Sequence, residues 1–191
     1  MKGFFARFSA PRQTPAETLF AAVVNASRQR ALYEEYGVAD TVDGRFEMLA
    51  MHLFACVHSL TRGPDPDPEL ARDTAEVFVQ EMDATFRDLG VSDKRIPRRM
   101  KAIFSTYGGR LGAYGAALSG EGETLEEAIS RNIFEAEADP ALADRLAAYL
   151  RGVLAALEAA PGAAFRQGRP PFPAPETLLP AGTPPESVQE E

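Results

Sequence analysis

Histidine and cysteine are the side chains through which a helical protein most readily binds a metal or attacks a substrate. This 191-residue chain has two histidines and one cysteine. His52 and His58 stand six positions apart, outside the three- and four-residue intervals that put two imidazoles on one helix face. Neither belongs to a Glu-x-x-His or His-x-x-x-His pattern, so no di-iron or zinc site is expected. Cys56 lies in an apolar run with no activating cation beside it in sequence. The serines lack a nucleophile elbow, and no glycine loop is built to cradle phosphate. The acid pairs Glu34-Glu35, Glu126-Glu127 and Glu190-Glu191 read as helix-surface or tail charges. The expectation is a protein that is not an enzyme and has no metal and no cofactor.

Chemistry of another kind is concentrated in three places. Lys94, Arg95, Arg98, Arg99 and Lys101 put five cations into eight residues, with Arg87 and Arg110 nearby. Such an island suits phosphate groups of RNA or lipid, or an acidic partner surface. At the start of the chain, Lys2, Arg7 and Arg12 alternate with Phe4, Phe5 and Phe8. Arg7 interrupts the apolar stretch of about 7–15 residues that a secretory signal needs. Phe4, Phe5, Arg7 and Phe8 are instead expected to contact an anionic membrane, or else to cover a groove on the fold. Finally, Gly108, Gly109, Gly112 and Gly115 fall in one helical segment, where each costs about 1 kcal/mol relative to alanine. Close packing against another helix, taken to be internal, is the expected compensation.

The elements that must position these residues are all helical. Thr14-Pro15-Ala16-Glu17 has the form of a capping box with proline at the first helical position, opening a helix expected to run to Gly37. A second helix from about Asp43 carries Phe46, Leu49, Leu53, Val57 and Leu60 as a stripe and stops at Gly63-Pro64. After a proline-rich link, a third runs from Asp67 to Gly90 and a fourth from about Pro97 to Leu118, with Tyr107 and Tyr114 on it. Thr124-Leu125-Glu126-Glu127 and Asp139-Pro140 open two more. The reading is an all-α bundle of about six helices spanning residues 14–160. A flexible basic and aromatic segment (1–13) precedes it, and a proline-rich disordered tail (161–191) follows.

Composition sets the outer limits. At 45% apolar residues and formal net charge −8, the chain has enough core for one domain and too much acid for a general nucleic-acid binder, so specific DNA binding is not expected. Between Arg87 and Arg110, however, seven cations face two acids, giving 7 − 2 = +5. One cysteine leaves no internal disulfide, and the longest apolar run without charge, Met48 to Thr61, is 14 residues against the roughly 20 that span a bilayer. A cytoplasmic location is expected.

The order of certain residues resembles a known family. Tyr36-Gly37-Val38, Asp40-Thr41, Asp43-Gly44-Arg45-Phe46-Glu47 and His52 match the opening of the ubiquinol-cytochrome c chaperone domain. Glu81-Met82-Asp83, Arg87, Leu89-Gly90-Val91, Asp93, Met100-Lys101, Gly109-Arg110 and Ala113-Tyr114 continue it, over about residues 15 to 155. The family usually has an aromatic pair before Gly-Arg, whereas here Tyr107 is followed by Gly108.

The resemblance implies a non-enzymatic helical assembly factor for respiratory complex III that acts on newly made cytochrome b or its assembly intermediate. It further implies the ribosome and an anionic membrane surface as partners, met peripherally on the cytoplasmic face of the inner membrane. Lys94, Arg95, Arg98, Arg99, Lys101, Arg110, Tyr107 and Tyr114 are then the candidate partner-binding residues, with an apolar groove beside the glycine-rich helix to shield the client. The competing expectation is a peripheral helical module for anionic lipid.

Overall fold

A computed structural model describes residues 13–88, 90–134 and 139–179, without the side chains of residues 102–104 and 106. Thr14 accepts from the Glu17 amide at 3.1 Å while the Glu17 carboxylate accepts from the Thr14 amide at 2.7 Å, completing the expected box at the head of α1 (Pro15–Ser27). The helix stops ten residues short of Gly37. The Ser27 hydroxyl donates back to the Val24 carbonyl at 2.9 Å, and the Tyr33 hydroxyl takes the Ser27 carbonyl at 2.7 Å. Side-chain bonds of this kind compete with the helical ladder, and the chain re-enters helix only for one turn, α2 (Ala31–Glu34). Gly37, at φ +72°, then turns the chain away.

Thr41 caps α3 (Val42–Arg62), accepting from the Gly44 amide at 3.1 Å. Gly44 has no substitute here, because a Cβ on it would stand 2.0 Å from the Ala39 carbonyl oxygen. A single buried stripe is expected for this helix, but Ala50, Met51, His52, Leu53, Phe54, Ala55 and Cys56 are all buried in succession. A helix that is apolar all round belongs inside, and α3 is the central post of the bundle, in contact with α1, α4, α5, α6 and α7.

Asp67 accepts from the Leu70 amide at 3.1 Å and starts α4 (Pro68–Asp88), whose buried residues end at Phe78. α5 (Ile96–Leu118) returns along it, carrying the glycines. The second capping box forms as expected on Thr124 and Glu127 at the start of α6 (Leu125–Ile133). Asp139 accepts from the Ala141 amide at 3.0 Å and begins α7 (Pro140–Glu158), which buries Leu146, Ala147, Tyr149, Leu150 and Val153. Among the described residues there is no strand, and no helix is long and apolar enough to cross a membrane.

Packed chain continues past residue 160. α8 (Gly162–Arg166) buries Phe165, and a 3-10 turn, Pro175–Leu178, buries Pro175. The Tyr36 hydroxyl donates to the Pro175 carbonyl at 2.8 Å, Phe172 packs on His52, and Leu178 fills the space over Gly152, where a Cβ would be 2.7 Å away. Proline has little backbone freedom to lose, so four apolar anchors suffice to order this stretch. Residues 180–191 lie outside the described residues.

Candidate functional site

The residues that carry the sequence resemblance divide between exposed local pairs and contacts that join the helices. Arg45 pairs with Asp40 across the α3 turn, with Nε to Oδ1 at 2.5 Å, and this bond holds the exposed Asp40 carboxyl below its ordinary range. Asp43 lies in the first turn of α3, where its charge complements the helix N-terminus. Glu47, on α3, forms an ion pair with Arg110 on α5; their side chains are 8% and 23% exposed. Phe46 packs edge-on against Tyr107, which also lies against Phe78 and donates to the Ala50 carbonyl at 3.4 Å. On the surface, Arg87 is shared between Asp83 and Asp93.

His52 is wholly interior. Its Nδ1 stands 2.7 Å from the Met48 carbonyl and its Nε2 2.8 Å from the Tyr149 hydroxyl. A carbonyl only accepts, so Nδ1 carries the proton and Nε2 accepts from tyrosine. Burial pulls the imidazole down to about 4. The folded value lies below the unfolded 6.5, so between the two the unfolded chain holds a proton that the folded chain lacks. Stability from this group is complete above pH 6.5 and declines as pH falls toward 4, by about 3 kcal/mol. Urea midpoints at pH 7 and pH 4 should therefore differ less for H52Q than for wild type. An equal difference in both would remove His52 as the source. Burial likewise raises the Cys56 thiol to about 12 and leaves it inert.

Three expected partner-binding residues are placed otherwise. Tyr107 and Tyr114 are 7% and 2% exposed and belong to the core, because the apolar stripe of α5 faces α3. Arg110 is held by Glu47 and is not part of the free basic surface. Lys94, Arg95, Arg98, Arg99 and Lys101 are exposed, and none forms an ion pair among the described residues; the nearby Asp93 goes to Arg87. Arg99 lies over the Phe86 ring at 5.8 Å. Phe4, Phe5, Arg7 and Phe8 lie outside the described residues.

The glycines of α5 depart from the internal packing expected of them. Nothing described comes within 4 Å of a Cβ built on Gly108, Gly109, Gly112 or Gly115. Gly112 and Gly115 instead form one wall of a groove of about 440 Å³ whose other wall is Phe54, Val57 and His58 of α3. Lys101, Ser105, Gly108, Gly112, Gly115 and Ser119 recur at alternating four- and three-residue steps, and all are exposed or half-exposed. This face of α5 carries Lys101 near its head and is small and open farther on, with Gly112 about 17 Å away at 1.5 Å per residue. Among the described residues no group of three or more His, Cys, Asp or Glu side chains is placed to hold a metal.

A sequence profile described as "Ubiquinol-cytochrome C chaperone" matches residues 34–172, from α2 through the segment that packs on His52. The chain belongs to the ubiquinol-cytochrome c chaperone family. This is a chaperone family and not an enzyme family, which accords with the absence of a catalytic pattern in the sequence. A solved structure described as the Cbp3 homolog from Brucella abortus superposes with a TM-score of 0.72 at 32% identity, covering 85% of this chain and 90% of that one. No curated protein matches significantly.

Sequence reasoning singled out Glu47 and Arg110 without pairing them, although a glutamate inside the apolar run of a central helix demands a cationic partner. The partnership of His52 with Tyr149 spans 97 residues and leaves no local signal.

Proposed function

We propose that this member of the ubiquinol-cytochrome c chaperone family assists assembly of respiratory complex III by holding a helical segment of newly made cytochrome b in the α3–α5 groove. The cations at the head of α5 meet the anionic cytoplasmic face of the inner membrane. The observation that carries this reading is the open small-residue face of α5, which lines a groove with α3 and lies on the same helix as exposed cations that form no ion pair among the described residues. Small residues allow a partner helix to approach closely, so a short contact can still be specific. Exposed cations near anionic lipid contribute about 1 kcal/mol each, weak enough individually for release. Together they hold the chaperone where a membrane-bound client emerges.

Photo-crosslinking from positions 112 and 115 during synthesis should capture cytochrome b, and deleting the gene should selectively remove complex III from the membrane spectrum of b- and c-type cytochromes. Crosslinks confined to the chaperone itself, or normal assembly in the deletion, would end the reading. Replacing Lys94, Arg95, Arg98, Arg99 and Lys101 with glutamine should weaken pelleting with anionic liposomes at least tenfold in 0.1 M salt. If ribosome pelleting falls and liposome pelleting does not, the cations serve RNA. The rival module for anionic lipid draws on the phenylalanines and cations of residues 1–12, and it differs in predicting normal complex III without the gene.

A further inference from the structure

A second groove is lined by other helices, and its chemistry differs from that of the first. It has a volume of about 430 Å³ and runs between the N-terminus of α1 and the outer face of α4. Its floor is Ala16, Leu70 and Val77; its walls carry Glu17, Asp67, Glu69, Asp73 and Glu76. Arg166 answers Asp67 at 3.1 Å, and Arg72 lies beside Asp73 and Glu76, at 3.0 and 3.9 Å. Five acids against these two arginines leave the groove at 5 − 2 = 3 negative charges.

The rim of this groove is Thr14 and Pro15, the point at which residues 1–12 join the bundle. Those twelve residues contain Lys2, Arg7 and Arg12, no acid, and Phe4, Phe5 and Phe8. We infer that residues 1–12 occupy the groove between α1 and α4, with their three cations against its acidic walls and their phenylalanines on its apolar floor. Charge matches charge, three against three, in a chain whose total is −8. Reach is ample. The stretch of α4 from Glu69 to Gln80 is about 17 Å long at 1.5 Å per residue, and twelve residues extend to about 40 Å. Tethering does the rest: a segment anchored two residues from the groove has an effective concentration near the millimolar range, so even millimolar affinity gives substantial occupancy. This inference does not depend on the client proposed above, and it gives the N-terminal phenylalanines an intramolecular seat in place of a membrane.

The test replaces Phe8 with the photoreactive p-benzoyl-phenylalanine in the full chain. After irradiation without lipid, the monomer band should contain crosslinks to residues 67–80. Crosslinks elsewhere, crosslinks only between two copies, or none would overturn the inference. The surface variant E69Q/D73N/E76Q, with an unchanged helical spectrum, should lower the yield at least threefold, as should 0.5 M salt. An undiminished yield in both would also overturn it. Crosslinks that appear only to lipid when phosphatidylglycerol vesicles are added, with none to 67–80 in their absence, would assign the segment to a membrane instead.

Discussion

Alanine at Gly108, Gly112 and Gly115 is expected to make the protein more stable, by about 2–3 kcal/mol in all, while leucine at Gly112 and Gly115 is expected to abolish its service to complex III. Each glycine in a helix interior is about 1 kcal/mol worse than alanine, because the unfolded glycine backbone has more freedom to lose. No described atom lies within 4 Å of the added methyl groups, so nothing offsets the gain. For a domain of this size the triple-alanine variant should melt about 5–10 °C higher in a calorimetric scan. A lower melting temperature would mean that these glycines serve the fold itself. Leucine side chains at 112 and 115 point into the 440 Å³ groove and occupy the space assigned to the client. Crosslinking to cytochrome b and the complex III spectrum should then fall at least tenfold in a protein that still folds; full activity would show that the groove is not the client site. Glycines retained at such a thermodynamic disadvantage fit a surface kept open for function.

Removing Glu47 while keeping Arg110 is expected to destabilise the bundle by about 2–4 kcal/mol. The pair joins the central helix to the helix that bears both the cations and the groove, and its carboxylate is nearly fully buried. Taking away one member of a buried pair leaves the other charge desolvated without compensation, and this penalty outweighs the pair's net contribution. Arg110 retains some solvent, which places E47M toward the lower end of the range. The double variant E47M/R110M removes both charges and should recover most of the loss, since an apolar pair of similar volume fits the same interface. Urea midpoints for the two single variants and the double variant close the cycle. A coupling energy under about 0.5 kcal/mol, or an E47M midpoint equal to wild type, would refute a structural role for this pair.

Local chemistry was legible in the sequence. Both capping boxes and the Asp139-Pro140 start depend on neighbours within four residues, and each appears where its spacing predicts, whereas Gly37 makes its left-handed turn without being the end of α1. The all-helical class follows from the same signals repeated along the chain. What depended on partners far along the chain was not legible. A stripe of α3 was expected to be buried, but five helices surround it, and only the apolar run without charge from Met48 to Thr61 hinted at this. The early end of α1 turns on a tyrosine six residues away reaching back to a carbonyl. At the candidate site, the exposure of five cations agreed with their polarity. The inward turn of Tyr107, Tyr114 and Arg110 did not announce itself, because an aromatic or an arginine on an amphipathic helix fits either face until its neighbours are known.

The bond between the Tyr36 hydroxyl and the Pro175 carbonyl joins residues 139 positions apart, and it bears on the order in which the chain acquires its structure. A growing polypeptide can bring α1, α3 and α4 together before α7 exists, since all three precede it in sequence and pack on one another. Their shared core stays open on the side of His52 until α7 supplies Tyr149 and the segment around Phe172 lays its ring on the imidazole. The segment around Phe172 and Pro175 therefore acts as a clasp that closes only after α7 has been made. Until then the central helix presents its own apolar surface, and this chaperone passes through the same exposed stage from which it is proposed to protect its client.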